Sequence, residues 1–453
     1  WLSESQERMT LSVPDETLDA FIDLMKRRGV EATVIGRFTG DSRGVVRHGG
    51  RKIFDMDMTF LHDGLPKKRL ETSYTKSYHP FPHFDEPRDM TPDFIAMAGR
   101  LNTASFEFIS TQYDHEVQGG SVIKPLQGRG RVNGSATVIR PILDSWRGAV
   151  LSQGIYPSYG DIDTYWMAAC SIDTAVRNAV AAGGSLEQMA ILDNFCWCDS
   201  TNPERLGQLR EAARACYDSA VAYGTPFISG KDSMFNDFRG YDEEFREATI
   251  SIPPTLLISS IGVVEDIRKC QTIDFKIPGD LVYCLGTTGD ETGGSEYLAY
   301  MGEKISGMKY SGDAVPRVDA DEFKKTYRAL EGAIREGLVA SCISVERGGL
   351  GLALAKSAMA GMRGVEIDLA ALPAGIDRND YLLFSESQGR VLVSVGPEKR
   401  EAFEKVIGGV PAGLLGTVSD GPDVVIRGVR GNPVVMTDVD SLQEAYRGLF
   451  RDF

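Results

Sequence analysis

The chain has 453 residues, 42% hydrophobic and 25% charged, enough to bury more than one core and to form about two to three domains. A net charge of −15 argues against nucleic acid or an anionic membrane as main partner, but it leaves phosphate ligands open, because loop amides and metal ions bind them without a basic surface. No apolar run is long enough to span a bilayer, no secretory leader is read, and seven scattered cysteines point to reduced thiols in a cytoplasmic compartment.

Residues 9–13 read as a strand, followed by a helix opened by Pro14-Asp15-Glu16 with Leu18, Phe21, Ile22 and Met25 on one face. Gly29 ends that helix, and strands are expected at 32–35 and 53–60. Residues 76–100, rich in Pro, His and charge, read as a linker. Beyond it come a strand at 135–139, a long helix over 164–182, a buried strand at 189–192 and a helix over 203–223. A short strand at 226–228, the loop Ser229-Gly230-Lys231-Asp232-Ser233 and a strand at 255–264 follow. The last region opens with a strand at 280–285 and a Gly-rich loop at 286–295, then helices over 323–336 and 348–361. Strands alternating with helices of these lengths predict an α/β (α+β) layer arrangement.

The string SESQERMTLSVP at 3–14 returns as SESQGRVLVSVG at 385–396. Phe21 and Met25 correspond to Phe403 and Ile407, and after a two-residue slip Gly29, Val30 and Gly36 correspond to Gly409, Val410 and Gly416. One strand–helix–Gly–strand unit therefore occurs twice, which points to an internal duplication. The second copy follows about a hundred residues of what reads as the same domain, so the chain is expected to start inside a domain. Trp1 in place of an initiator Met agrees.

Several residue sets carry chemistry. The Gly230 loop offers backbone amides, a cation, a carboxylate and a hydroxyl, the groups that hold a Mg-nucleotide. It is not a Walker A loop, since Asp232 follows Lys231 where Ser or Thr should stand, and an ordinary turn capped by Asp and Ser is the alternative. Asp193 follows a strand, where α/β folds place ligand contacts, and also where turns are capped. Thr174 and Asn178 share a helix face; Asn178 is a metal or phosphate ligand, or a buried amide bonded to backbone. Glu4-Ser5-Gln6 and Glu386-Ser387-Gln388 suit either a polar ligand or a structural turn. Cys196-Trp197-Cys198 makes a poor zinc site and reads as buried. Gly128-x-Gly130-x-x-x-Gly134 misses the dinucleotide fingerprint. All five histidines (48, 62, 79, 83, 115) lack metal spacing.

On PFISGKDSMFND at 226–237, SESQERM at 3–9 and YDHEVQGGSVIKPL at 113–126, the chain resembles phosphoribosylformylglycinamidine synthase over essentially its whole length. GGSEYLAY at 293–300 and GGLGLALAKSAMAG at 348–361 fit the wider aminoimidazole ribonucleotide synthetase superfamily. The resemblance implies aminoimidazole ribonucleotide synthetase-like N-terminal and C-terminal domains, tandem-duplicated in the full-length protein. On that plan 1–75 is the tail of the first half's C-terminal domain and 76–104 a linker. The second half's N-terminal domain would be 105–268 and its C-terminal domain 277–453. The implied activity is ATP-dependent amidation of formylglycinamide ribonucleotide through an iminophosphate, with ammonia from glutamine, in cytoplasmic purine biosynthesis.

Carried over by motif, Glu4, Ser5, Gln6 and Ser233 would contact the substrate, Asp193, Gly230 and Lys231 would contact ATP, and Asp232 with Asn178 would hold Mg2+. No histidine here matches the family's catalytic ones, so no catalytic base is named. The implied partners are the first half of the synthase and a glutaminase, without which this fragment is expected to be inactive. The second half's own phosphate site looks degraded. Ile343-Ser344 stand where His-Asp is usual, Arg347 where an acid is common, and a carboxylate is missing near Ser135. A non-catalytic nucleotide-binding or assembly module of the same superfamily is the alternative.

Overall fold

The computed structural model describes residues 8–112 and 115–452, in two units, Trp1–Arg69 and Leu70–Phe453. In the first unit, helix α1 (Leu18–Arg27) precedes a hairpin of strands β1 (Arg43–His48) and β2 (Arg51–Asp57) and a short helix α2 (Met58–Asp63). Gly49 and Gly50, with φ of +54° and +78°, make the two-residue turn that a right-twisted hairpin favours. The strand expected over 53–60 stops at Asp57, whose carboxylate caps α2 through the Phe60 amide at 3.2 Å.

The strands expected at 9–13 and 32–35 do not form. A strand needs a partner for its backbone groups, and the described part of this unit offers only the β1–β2 hairpin. No described residue of the unit is buried, and Phe38 is 90% exposed. Its apolar positions are those of a packed element without the core.

The second unit begins with α3 (Thr91–Ala98), and this corrects the linker reading. Phe94 and Met97 of α3 are buried in the core, and upstream Phe84 packs edge-on against Tyr297 and Tyr381. After a short α4 (Glu107–Ser110) come β3 (Ser121–Ile123), β4 (Leu126–Gln127), β5 (Val132–Asn133), β6 (Ala136–Ile139) and β7 (Gly148–Ile155). Helices α5 (Pro157–Gly160) and α6 (Thr164–Ala181), strand β8 (Met189–Cys196), helix α7 (Pro203–Tyr223) and strand β9 (Phe227–Ser233) follow. A hairpin of β10 (Phe238–Tyr241) and β11 (Glu247–Ile250) leads to β12 (Thr255–Val264). Six of these strands form one sheet in the order β3-β6-β7-β12-β8-β9, and only β8–β9 is parallel.

The remaining chain supplies β13 (Leu281–Leu285), α8 (Glu296–Ser306), α9 (Ala320–Arg335), β14 (Ser341–Ser344), α10 (Gly349–Gly361), β15 (Val365–Asp368) and α11 (Asn379–Phe384). It ends with β16 (Val391–Val395), α12 (Arg400–Val406), β17 (Ala412–Val418), β18 (Asp423–Arg427), β19 (Pro433–Asp438) and α13 (Val439–Gly448). Its sheet has the order β14-β16-β13-β17-β15-β18-β19. Here the second copy of the repeat does fold as expected: β16 lies between β14 and β13, and Phe403 and Ile407 are buried.

Period-2 burial along β7 and β12 turns Val150, Ser152, Ile258 and Ser260 inward against α6. Helix α6 is buried almost all round, because α7, α9 and β14 close the side away from that sheet. It is started by Asp163, whose carboxylate accepts the Tyr165 and Trp166 amides at 3.1 and 3.3 Å. The seven-stranded sheet carries α3, α10, α11 and α13 on its other side. The architecture is α/β. Among the described residues, no helix is long and apolar enough to cross a membrane.

Candidate functional site

Two expected local structures change. Strand β8 runs on through Asp193 and Asn194 to Cys196, and the Gly230 segment is strand rather than loop, pairing as β9 alongside it. The register sets Asp193 beside Gly230, Asn194 beside Lys231, Phe195 beside Asp232 and Cys196 beside Ser233. Gly230 has a steric reason: a Cβ built there would lie 2.5 Å from Asp193 Oδ1.

Alternation sorts these residues onto two faces of the sheet edge. Asp193, Gly230 and Asp232 share the side that carries the buried Ile191 and Phe195, whereas Asn194, Lys231 and Ser233 lie on the uncovered side. There the Lys231 ammonium bonds the Ser233 hydroxyl. The carboxyl of Asp193 is raised above its ordinary value, first by burial and then by the neighbouring Asp232 carboxylate. Two adjoining carboxylates offer oxygen ligands of the kind a divalent cation takes. Among the described residues no set of three or more His, Cys, Asp or Glu side chains converges, so oxygen ligands from a bound phosphate would have to complete such a site.

Asn178 does not join this pair. Its amide donates to the Gln153 carbonyl on β7 and to Glu346, each at 3.2 Å, and β7 stands three places from β9 in the sheet. The expected Asp232–Asn178 metal pair is therefore not brought together; Asp193 takes the place beside Asp232. Asn178 Oδ1 is buried without a partner, and Glu346 also accepts from Ser135. Glu346 was missed in the sequence although it precedes Arg347, because its partners Ser135 and Asn178 are distant in the chain and only the fold brings them to it.

Glu4, Ser5 and Gln6 lie outside the described residues. Their repeats are all buried and bonded to protein. Glu386 accepts from the Gly348 amide at 2.8 Å, the Glu296 amide at 3.1 Å and the Tyr159 hydroxyl. Ser387 Oγ accepts from the Gly289 amide at 3.0 Å. Gln388 Oε1 accepts from Thr174 at 2.8 Å and Arg177 at 3.1 Å. Of the two readings of this triplet, the structural turn holds for the second copy.

Arg177 and Asp173 form a fully buried pair one helical turn apart, and Tyr223 and Tyr327 donate to the same aspartate. Their (i, i+4) spacing was the signal available in the sequence. The seven cysteines are all free thiols, and Trp197 between two of them is buried with its indole N–H on the Arg205 carbonyl at 3.0 Å. Against known proteins, residues 1–49 and 278–429 match the family described as AIR synthase related protein, C-terminal domain. The phosphoribosylformylglycinamidine synthase subunit PurL of Methanocaldococcus jannaschii is 30% identical over 452 residues, 99% of this chain and 58% of that protein. Thermotoga maritima PurL complexed with FGAR superposes with a TM-score of 0.57 at 20% identity, over 78% of this chain and 53% of that one. The same protein complexed with ATP gives 0.50, again at 20% identity, over 74% and 51%. The chain thus spans little more than half the length of the curated relatives it matches. Over nearly all of its sequence the chain is therefore similar to phosphoribosylformylglycinamidine synthase subunits, and it shares the AIR synthase-like fold.

Proposed function

We propose that this chain is part of an ATP-dependent ligase that amidates formylglycinamide ribonucleotide, and that the β8–β9 edge is its contribution to the nucleotide site. The observation that carries the reading is the pairing of Asp193 with Gly230 and Asp232, on an exposed strand end in a chain that resembles PurL throughout. Asp193 and Asp232 are the residues proposed to hold Mg2+, with Gly230 leaving room for the first carboxylate. Lys231 neutralises phosphate charge, and Ser233, on the same face as Lys231, orients the substrate. Glu4, Ser5 and Gln6 keep their proposed role as substrate contacts in the assembled enzyme.

An amide oxygen is a poor leaving group, and Mg-ATP when bound supplies the phosphoryl group that converts it into a good one. The chain's own residues meet the remaining requirements, which are charge neutralisation and alignment. Ammonia from a glutaminase and passage through an iminophosphate complete the proposal, as does a cytoplasmic setting, with which seven free thiols agree.

Two observations support an enzyme assembled from more than this polypeptide. The six-stranded sheet leaves one face uncovered, with Ile139, Leu151 and Ile261 standing out from it. No described residue of the first unit is buried, although its sequence repeats elements that are core in 391–416. The first half of the synthase is the proposed partner.

The test is ammonia-supported turnover of ATP and formylglycinamide ribonucleotide. The 453-residue chain by itself is expected to be inactive, and to gain activity when mixed with a polypeptide carrying the first half of a family member. Asp193→Asn in that mixture should abolish the gain. Turnover by the chain alone, or full activity of the variant, would reject the reading. The alternative of a non-catalytic module is favoured for the second half's own cleft, where the 386–388 triplet is already satisfied by protein groups.

A further inference from the structure

The sequence Ser385-Glu386-Ser387-Gln388-Gly389-Arg390 brings a buried carboxylate and a buried guanidinium into one loop, and they are not paired with each other. Arg390 gives its protons to neutral oxygens: the Ser387 carbonyl at 2.9 Å, Thr288 Oγ1 at 2.8 Å and the Ser385 carbonyl at 2.6 Å. Among the described residues, Glu386 accepts hydrogen bonds from the Gly348 amide that caps α10, the Glu296 amide that begins α8, and the Tyr159 hydroxyl. Both helices exceed ten residues, so each N-terminus presents a real partial positive charge, and together they aim at one point. The carboxylate at that point is 1% exposed.

We propose that Glu386 is an internal anion, filling between the N-termini of α8 and α10 a position that would otherwise take a free carboxylate or phosphate. It would thereby hold the Gly-rich loop at 286–295 closed on α5, which carries Tyr159. Burial is the largest influence on the Glu386 carboxyl and leaves it above its ordinary value, while the Gly348 amide, Tyr159, Arg347 and the Glu296 amide limit that rise. The turn also depends on Gly389, at φ +74°, where a Cβ would meet the Phe323 ring at 2.5 Å. In the sequence repeat at 3–8 the corresponding residue is Glu7. This inference concerns a cleft separate from the Asp193 edge and stands whether or not that edge binds nucleotide.

The experiment is thermal unfolding of the full chain and of Glu386→Ala, each in chloride, formate or inorganic phosphate at matched ionic strength. The expected result is a Tm loss of about 5 °C or more in the variant. Formate or phosphate, but not chloride, should restore about half of it, with little effect on the parent chain. Recovery by formate alone identifies a carboxylate-sized site, and recovery by both identifies one that also admits phosphate; either supports the proposal. A loss that neither anion repairs would overturn it. Should Glu386→Ala not fold, Glu386→Gln decides the matter. Gln keeps the shape and an acceptor for both amides, so a Tm equal to the parent's would show that charge is not required, whereas a clear loss would show that it is.

Discussion

Asp193 and Asp232 stand next to each other on the parallel strands β8 and β9, both on the helix-bearing side of the sheet, with Gly230 opposite the first. Burial first, and then this proximity, raise the Asp193 carboxyl, and the sign of the consequence is fixed by linkage. A carboxyl whose folded-state value is raised favours the fold below its unfolded value of 3.8, and that contribution is lost as pH rises through the folded value. Metal-free stability should therefore fall across that window, while Mg2+ affinity rises across it as the proton leaves. Stability curves with and without Mg2+ should diverge as pH increases. Asp232→Asn should move the divergence toward lower pH and weaken Mg2+ about tenfold or more, by direct titration.

Gly230→Ala probes the same spot by volume instead of charge. The added Cβ would press on Asp193 Oδ1, so the carboxylate must swing away from Asp232. Overpacking at an edge strand costs about 1–3 kcal/mol, read as a shift in urea midpoint without change of slope. Nucleotide affinity should fall by more than this stability loss accounts for, because the pair itself is disturbed. Unaltered Mg-ATP binding in a stably folded variant would remove Gly230 from the site.

The long periodic elements were legible in the sequence: α6, α7, β12 and the second repeat lie close to where the hydrophobic spacing puts them. The first repeat was not, because residues 9–13 have strand composition but no neighbour to pair with, and composition cannot report a missing partner. At the candidate site, Gly and Asp at 230–232 read as a loop. In the structure the Gly serves strand packing against Asp193, a reason visible only once β8 and β9 are side by side. Asn178 was legible as a buried amide, and its distance from Asp232 was not, since three strand places separate what one motif list joins.

The Asp173–Arg177 pair is wholly buried, with Tyr223 donating to Asp173 at 2.6 Å, Tyr327 donating to the same oxygen, and the Gly389 amide donating at 3.3 Å. Arg177 also reaches the Ser344 hydroxyl at 2.7 Å and the Val345 carbonyl at 3.2 Å, tying α6 to β14 and its following turn. Removing one member leaves the other charge uncompensated, so Asp173→Ala or Arg177→Ala should each cost about 3–5 kcal/mol. Replacing both by apolar residues of similar volume should cost less than either single change. Equilibrium urea unfolding of the four species measures this; additive single losses would show that the two charges are not coupled.

The uncovered sheet face yields the last prediction. Leu151 and Ile261 are register partners on β7 and β12, exposed by 41% and 37%, and neither contributes to the core beneath α6. A charge there costs the isolated chain little, within about 0.5 kcal/mol, because it meets water. If this face is covered by the first half of the synthase, the same charge must be buried unpaired and association should fail. Leu151→Glu is therefore expected to keep the parent's urea midpoint and to lose complex formation, measured by size-exclusion chromatography with light scattering against a first-half polypeptide. Leu151→Met, apolar and of similar volume, should retain it. Equal association by Leu151→Glu and the parent chain would move the partner to another surface, and with it the proposed assembly.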